Sequence, residues 1–186
     1  MNKVAYITGG SKGIGLGIAE ALLTEGYKVA ITARTQKDID AAIIKLKNIG
    51  SGEILGLRSD VKNFSDEESS IEEVYKKWGQ LDICIANAGV GRFAPIDEMR
   101  LEDWHAVIDT NLTGVFNTIK AALPLLKISK GYIITISSLA GTNFFETGTA
   151  YNASKFGVVG FSQALMLDVR PFGIKTTTIM PGSVVT

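Results

Sequence analysis

Tyr151 and Lys155 stand four residues apart. The stretch 149–170 has the apolar spacing of a helix, so the two side chains share one face of it. A phenol titrates near ~10 and is a poor acid or base at neutral pH. An ammonium ~4 Å away, at an effective dielectric of ~20, favours the phenolate by roughly 4 kcal/mol before desolvation. That lowers the phenol pKa by up to about 3 units and poises it for general acid–base work. The same pair on an exposed helix would be an ordinary surface contact, so its neighbours decide. Ser138 follows the strand predicted at 131–137, where a hydroxyl can hydrogen-bond a substrate carbonyl. Ser137 competes for that role, and either serine can instead close a strand-end turn. Asn111 falls inside a helix predicted from residue 103 to about 127, a position asparagine disfavours. A polar kink that binds water explains it, as does simple exposure.

A second group of special residues opens the chain. Lys3 to Thr8 reads as a strand, and Leu16, Ile18, Ala19, Leu22 and Leu23 recur at helical spacing. Between them lie Gly9, Ser11, Lys12, Gly13, Ile14 and Gly15. Strand, glycine turn and helix make the first half of a dinucleotide-binding unit. Gly9 permits a chain reversal. Gly13 and Gly15 leave room for a pyrophosphate against the backbone, and the helix start offers it free N–H groups. The spacing Gly-x-x-x-Gly-x-Gly differs from G-x-G-x-x-G and from the phosphate loop GxxxxGK[ST], so the turn alone is a weak signal.

The elements that must position these residues alternate throughout. Strands are predicted at 28–33, 52–59, 81–86, 131–137 and 174–180, and helices at 37–49, 64–78, 103 to about 127 and 149–170. Thr35 and Asp38 are spaced as a helix cap. This alternation predicts a single α/β domain, a Rossmann-like doubly wound parallel sheet in the order 3-2-1-4-5-6, with a cofactor over its carboxyl edge. The polar and special residues fall just after the strands, where that edge lies.

Composition narrows the function classes. Hydrophobic residues make up 46% of 186, which suits one domain with a real core. Lys+Arg and Asp+Glu both number 19, a balance that argues against nucleic-acid binding. No apolar run reaches membrane-spanning length, no signal-peptide pattern precedes the first strand, and the lone cysteine, Cys84, sits in an apolar strand. These features point to a cytoplasmic protein. The carboxylates lack metal-ligand clustering, so no metal is expected.

Taken together, the sequence closely resembles the short-chain dehydrogenase/reductases. The matching segments are Thr8-Gly9-x-x-x-Gly13-x-Gly15, Asp60-Val61, Asn87-Ala88-Gly89, Asn111, Ser138, Tyr151-x-x-x-Lys155 and Pro181-Gly182, in that family's order. The resemblance implies roles. Tyr151 would donate the proton in carbonyl reduction, Lys155 would bind the nicotinamide ribose and lower the Tyr151 pKa, and Ser138 would polarise the carbonyl. Asn111 would hold a water linking Lys155 to solvent. Asp60 and Val61 would meet the adenine, while Asn87, Ala88 and Gly89 would shape the cofactor floor. Pro181, Gly182, Val184 and Thr186 would contact the nicotinamide end.

The residue after strand two that would bind the free ribose hydroxyls of NAD as a carboxylate is Ala33, followed by Arg34. Arg34 and Lys12 can instead meet the extra phosphate of NADP, so NADP(H) is the expected cofactor. The resemblance implies a small carbonyl substrate. The loop 90–99, with Arg92, Phe93 and Pro95, and the loop between Ser138 and Tyr151, with Phe144, Phe145 and Glu146, either line an apolar pocket suited to an acyl or aromatic ketone or simply pack as loops. Similarity within the family is greatest to 3-oxoacyl-carrier-protein reductases. Apolar residues on the two long helices, including Phe116 and Phe161, fit the family's four-helix interface and predict a homodimer or homotetramer. The sequence ends at Thr186, directly after strand six, where family members continue with substrate-covering helices and a seventh strand. A partial chain or a shortened protein is expected on that account. With the substrate cover lacking, a non-catalytic nucleotide-binding fragment or scaffold is the alternative to an enzyme.

Overall fold

The computed structural model describes residues 3–183. Six parallel strands form one sheet in the order β3-β2-β1-β4-β5-β6. They are β1 (Val4–Ile7), β2 (Lys28–Ala33), β3 (Ile54–Arg58), β4 (Ile83–Ala86), β5 (Tyr132–Ile136) and β6 (Lys175–Ile179). The helices are α1 (Gly13–Thr24), α2 (Gln36–Leu46), α3 (Phe64–Trp78), α4 (Leu101–Ile108), α5 (Gly114–Ser129) and α6 (Thr149–Val169). The expected doubly wound order is therefore the observed one.

Strand β1 is buried along its whole length and pairs with β2 on one side and β4 on the other. Its side chains alternate between two cores, as the period of two demands. Val4 and Tyr6 join Cys84, Ala86 and Ile133 under α3, α5 and α6. Ile7 joins Ile31 and Ile85 under α1 and α2. Burying apolar strands on both faces explains why these short runs are almost wholly apolar.

The order in which the parallel strands are added reverses between β1 and β4, and that is where the ends of the strands open into a cleft. The Thr35 hydroxyl accepts from the Asp38 backbone N–H at 3.2 Å and caps α2. The long helix expected from residue 103 is not continuous. Residues Asp109–Thr113 form a π-turn between α4 and α5, with the Gly114 N–H donating to the Asp109 carbonyl five residues back. Asn111 lies within this turn, and its amide is engaged outside the helix, as described below. Such π-turns are found mainly where a site needs a side chain turned off the helical register.

Candidate active site

The glycine turn after β1 forms one wall of a cleft of about 340 Å³. Gly9, Ser11, Lys12, Gly13 and Ile14 line it from this side. Gly9 has φ of +63°, which favours glycine, and a Cβ there would lie 3.0 Å from the Ala88 Cα. Gly15 does not line the cleft. A Cβ on it would come within 2.5 Å of the Gly9 carbonyl oxygen and of the Asn87 side chain, so its bareness lets helix and turn pack. The crowded turn fits a group that must approach the backbone, as a pyrophosphate does.

The opposite wall comes from the ends of β2, β3 and β4. Arg34 and Asp38 lie beside the turn, Asp60 and Val61 follow β3, and Asn87, Ala88 and Gly89 follow β4. The Asn87 side chain donates to the Thr8 carbonyl at 2.8 Å and to the Gly9 carbonyl at 3.2 Å. Thr8 Oγ1 in turn accepts from the N–H groups of Asn87 (3.0 Å) and Ala88 (3.1 Å). These four bonds tie β1 to β4 at the crossover. Asp60 Oδ1 accepts from the Lys62 N–H, and its own N–H donates to Asp66 Oδ2, which fixes the turn. Val61 is held from behind by Asn117, whose amide donates to the Val61 carbonyl at 2.8 Å.

Beyond Gly89 lie the residues suited to proton transfer. A Cβ built on Gly89 would sit 3.3 Å from Asn111 Oδ1 and 3.7 Å from Lys155 Nζ. That single glycine stands between the cleft and the Asn111–Lys155 pair. Lys155 is buried, and its Nζ donates to the Ile136 carbonyl at 3.0 Å. Burial alone pulls its ammonium down to about 8. Its Nζ stands 5.7 Å from the centre of the Tyr151 ring. Tyr151 itself is half-buried.

Asn111, only 1% exposed, spends its amide on neighbours. Oδ1 accepts from the Val90 N–H at 2.8 Å, while Nδ2 donates to the Val90 carbonyl (2.9 Å) and to Ser154 Oγ (3.0 Å). Both amide hydrogens are thus committed to protein acceptors. The side chain fastens the β4 loop to α6 one residue before Lys155, and a water there would have to donate to an oxygen.

The two serines separate cleanly. Ser137 is buried and its hydroxyl donates to the Lys155 carbonyl at 3.0 Å. Ser138 is half-buried and its Oγ accepts from the Ala140 N–H at 3.1 Å. Accepting that bond does not use the hydroxyl proton. Pro181 and Gly182 lie against this turn: the Leu139 N–H donates to the Pro181 carbonyl at 3.0 Å. Val184 and Thr186 lie outside the described residues.

Some neighbours of the site carry no site role in the sequence reading. Asp38 sits in the cleft 4.0 Å from Lys12 Nζ and accepts from the Thr35 hydroxyl. Asn152, next to Tyr151, donates to the carbonyls of Ala140 and Asn143, both at 2.8 Å. Asn117 carried the same signal as Asn111, an asparagine inside a helix. Nothing local marks Ser154.

Residues 3–186 match the family model for short chain dehydrogenases. The chain belongs to the short-chain dehydrogenase family. This places it among oxidoreductases that use a nicotinamide cofactor. It is 36% identical over 186 residues to a 3-oxoacyl-[acyl-carrier-protein] reductase of Synechocystis, covering 99% of this chain and 75% of that one. It is 35% identical to the oxidoreductase BOA17 of Botryotinia fuckeliana, with 99% of this chain covering 66% of that protein's length. Among solved structures, an alcohol dehydrogenase from the archaeon Thermococcus sibiricus, complexed with 5-hydroxy-NADP, superposes with a TM-score of 0.94 at 31% identity. That match covers all of this chain and 78% of the other. Among the described residues of this short-chain dehydrogenase, no helix is long and apolar enough to cross a membrane.

Proposed function

We propose that this protein is an NADP-dependent oxidoreductase that interconverts a carbonyl compound and its alcohol. The observation that carries the reading is the placement of buried Lys155 behind Gly89, where the glycine-walled cleft meets the Tyr151 face of α6. The residues present fit a dinucleotide, since the turn at Gly9 and Gly15 is too crowded for any side chain. Gly9, Ser11, Lys12, Gly13 and Ile14 would hold its pyrophosphate, Asp60 and Val61 its adenine, and Asn87 to Gly89 its floor. Pro181 and Gly182 would face its nicotinamide end. When bound, the cofactor supplies or accepts the hydride.

The chain's own residues handle position and proton. Tyr151 gives its phenolic proton to the carbonyl oxygen in reduction and takes it back in oxidation. Lys155 stabilises the phenolate left behind, because a cation in this desolvated place acts with little screening. Ser138 donates its free hydroxyl proton to the same carbonyl oxygen and orients it. Asn111 and Ser137 are positioning residues, one through Val90 and Ser154, the other through the Lys155 carbonyl.

Arg34 supports NADP over NAD, since a guanidinium pairs well with a phosphate. Lys12 contributes less, because Asp38 lies 4.0 Å from it. The complex of the Thermococcus relative with an NADP analogue favours the same cofactor. Exposed Phe116 on α5 and Phe156 on α6 favour a homo-oligomer.

The test is NADPH oxidation with a panel of ketones, comparing the protein with Tyr151→Phe. Loss of a phenolic acid is expected to lower kcat by about 100-fold or more. An unchanged rate in the variant removes Tyr151 from the mechanism. NADPH binding without turnover on any carbonyl turns the reading into a nucleotide-binding scaffold.

A further inference from the structure

Two loops meet over the exposed side of Tyr151. Phe93 comes from the loop after β4 and Phe145 from the loop after β5. The Phe93 ring meets the Tyr151 ring edge-on, with centroids 5.5 Å apart at 60°. Phe145 lies 6.5 Å from Tyr151 and 5.8 Å from Phe93, tilted in both pairs. The three rings form a closed triangle around the phenol. Phe93 is still 56% exposed and Phe145 46%. Both rings keep an open face among the described residues, which an aromatic partner can meet.

The triangle is built on fixed backbone. The Ala94 N–H donates to the Thr147 carbonyl at 3.0 Å, joining the two loops beside their phenylalanines. The Phe145 N–H donates to Asn152 Oδ1 at 3.3 Å, which couples that ring to the helix carrying Tyr151. Preorganisation of this kind spends little ordering entropy on binding.

The exposed charges of the two loops are mainly acidic. Arg92 and Arg100 are the cations of the loop before α4, and both pair with Asp103, at 3.3 and 2.7 Å. Asp97, Glu98 and Glu146 stand exposed on the same two loops. An acidic group arriving here meets two arginines that already share one carboxylate, and three further carboxylates on the same loops.

We infer that Phe93 and Phe145 select an uncharged carbonyl compound bearing an aryl ring, taken free rather than on an acidic carrier. The inference rests on the reductase reading above and names its substrate class. A substrate ring can add edge-to-face and offset contacts to both phenylalanines, worth about tenfold over an aliphatic chain of equal area. The carbonyl then lies beside Tyr151 and Ser138.

The experiment compares kcat/KM for acetophenone, 2-octanone and acetoacetate in the protein, in Phe93→Leu, in Phe145→Leu and in the double variant. The expected order is acetophenone first and acetoacetate last. The acetophenone-to-octanone ratio is expected to fall about tenfold in the double variant, where apolar bulk is kept and the rings are lost. An unchanged ratio, or a preference for acetoacetate, overturns the inference. Saturation-transfer NMR of acetophenone binding is read in parallel, with no cofactor present. If no carbonyl is turned over, the reductase reading fails, and the NMR arm still judges the aromatic site. Ring-dependent binding that the double variant loses supports the site, and equal binding in wild type and double variant sinks it.

Discussion

The Ser59 hydroxyl donates to the Glu67 carboxylate at 2.5 Å, inside the core and directly behind the turn that carries Asp60 and Val61. Tyr6 of β1, fully buried, donates to the other oxygen of the same carboxylate at 3.2 Å. One acidic side chain on α3 thus fastens β1 to the chain just after β3, behind the Asp60–Val61 wall of the cleft. Burial raises the Glu67 carboxyl above its ordinary value, with the Ser59 and Tyr6 hydroxyl bonds opposing only in part. A raised acid contributes stability below the unfolded carboxyl pKa and loses it as pH rises through the folded one. Glu67→Gln keeps an acceptor and removes the charge. It is expected to gain on wild type in urea unfolding as pH is raised from 4 to 8. Glu67→Ala strands two buried hydroxyls and leaves a cavity, at a cost of about 2–4 kcal/mol. Equal midpoints for all three proteins across that range would falsify this account.

Asn111 offers a sharper probe of the site. Its amide makes three bonds, two to Val90 and one to Ser154, and only a carboxamide presents that donor and acceptor set. Asn111→Ala is expected to cost about 2–4 kcal/mol of stability, through unpaired buried groups. It should also lower kcat by at least about tenfold, because the Val90 loop and the helix turn before Lys155 lose their tie. The two effects are read separately, by denaturation and by steady-state kinetics at a temperature where the variant is folded. Full activity in a folded Asn111→Ala protein removes the residue from the positioning role.

Much of this was open to a reader of residues, and the limits have a physical cause. The strand at 28–33 and the helix at 64–78 run where periodicity and turn residues put them, because local pattern and burial agree there. Asn111 was visible as an anomaly, but its π-turn depends on Val90 and Ser154, which lie 21 and 43 residues away. Glu67 gave no signal at all. It stands between Asp66 and Glu68 on a helix whose outer face is rich in acids, and its contacts with Ser59 and with Tyr6, 61 residues earlier, separate it from them. Side-chain pairs across the fold are invisible to a local reading, whereas the glycine turn is legible because its constraint is steric and local.

Crowding at that turn predicts the effect of a single methyl. Gly15→Ala would place its Cβ 2.5 Å from the Gly9 carbonyl oxygen, a distance real Cβ atoms do not adopt. Backbone must shift, and the shift moves the wall that faces the cleft. NADPH affinity, measured by fluorescence titration, is expected to fall by about tenfold or more, with overall stability reduced by about 1–3 kcal/mol. Gly17→Ala is the control, since a Cβ there meets nothing within 4 Å. Similar losses in both variants would show that helix α1, and not the close approach, sets affinity.

Cofactor choice is tested at Arg34. Arg34→Asp reverses the charge on the side of the cleft proposed for the extra phosphate of NADP. A charge-assisted bond to phosphate is worth about 1.5–3 kcal/mol, so NADPH affinity is expected to fall roughly 10–100-fold while NADH binding holds or improves. Isothermal titration with both cofactors reads the ratio directly. Equal NADPH affinity in wild type and variant discards Arg34 as the discriminating residue.

Lys155 carries a pH signature that needs no substrate. Its ammonium is drawn down to about 8 by burial, while in the unfolded chain a lysine titrates near ~10.4. Between those values the unfolded state binds the proton and the folded state does not. Stability from this group therefore rises with pH across that window, by up to about 3 kcal/mol. In Lys155→Met the group is gone, and the lost bond to the Ile136 carbonyl is a cost that does not vary with pH. The stability of wild type minus that of the variant, from urea midpoints at pH 7.5 to 10.5, is expected to climb steadily through the window. A flat difference means that the ammonium is solvated in the folded protein, and the low-screening environment invoked for the Tyr151 phenolate then fails with it.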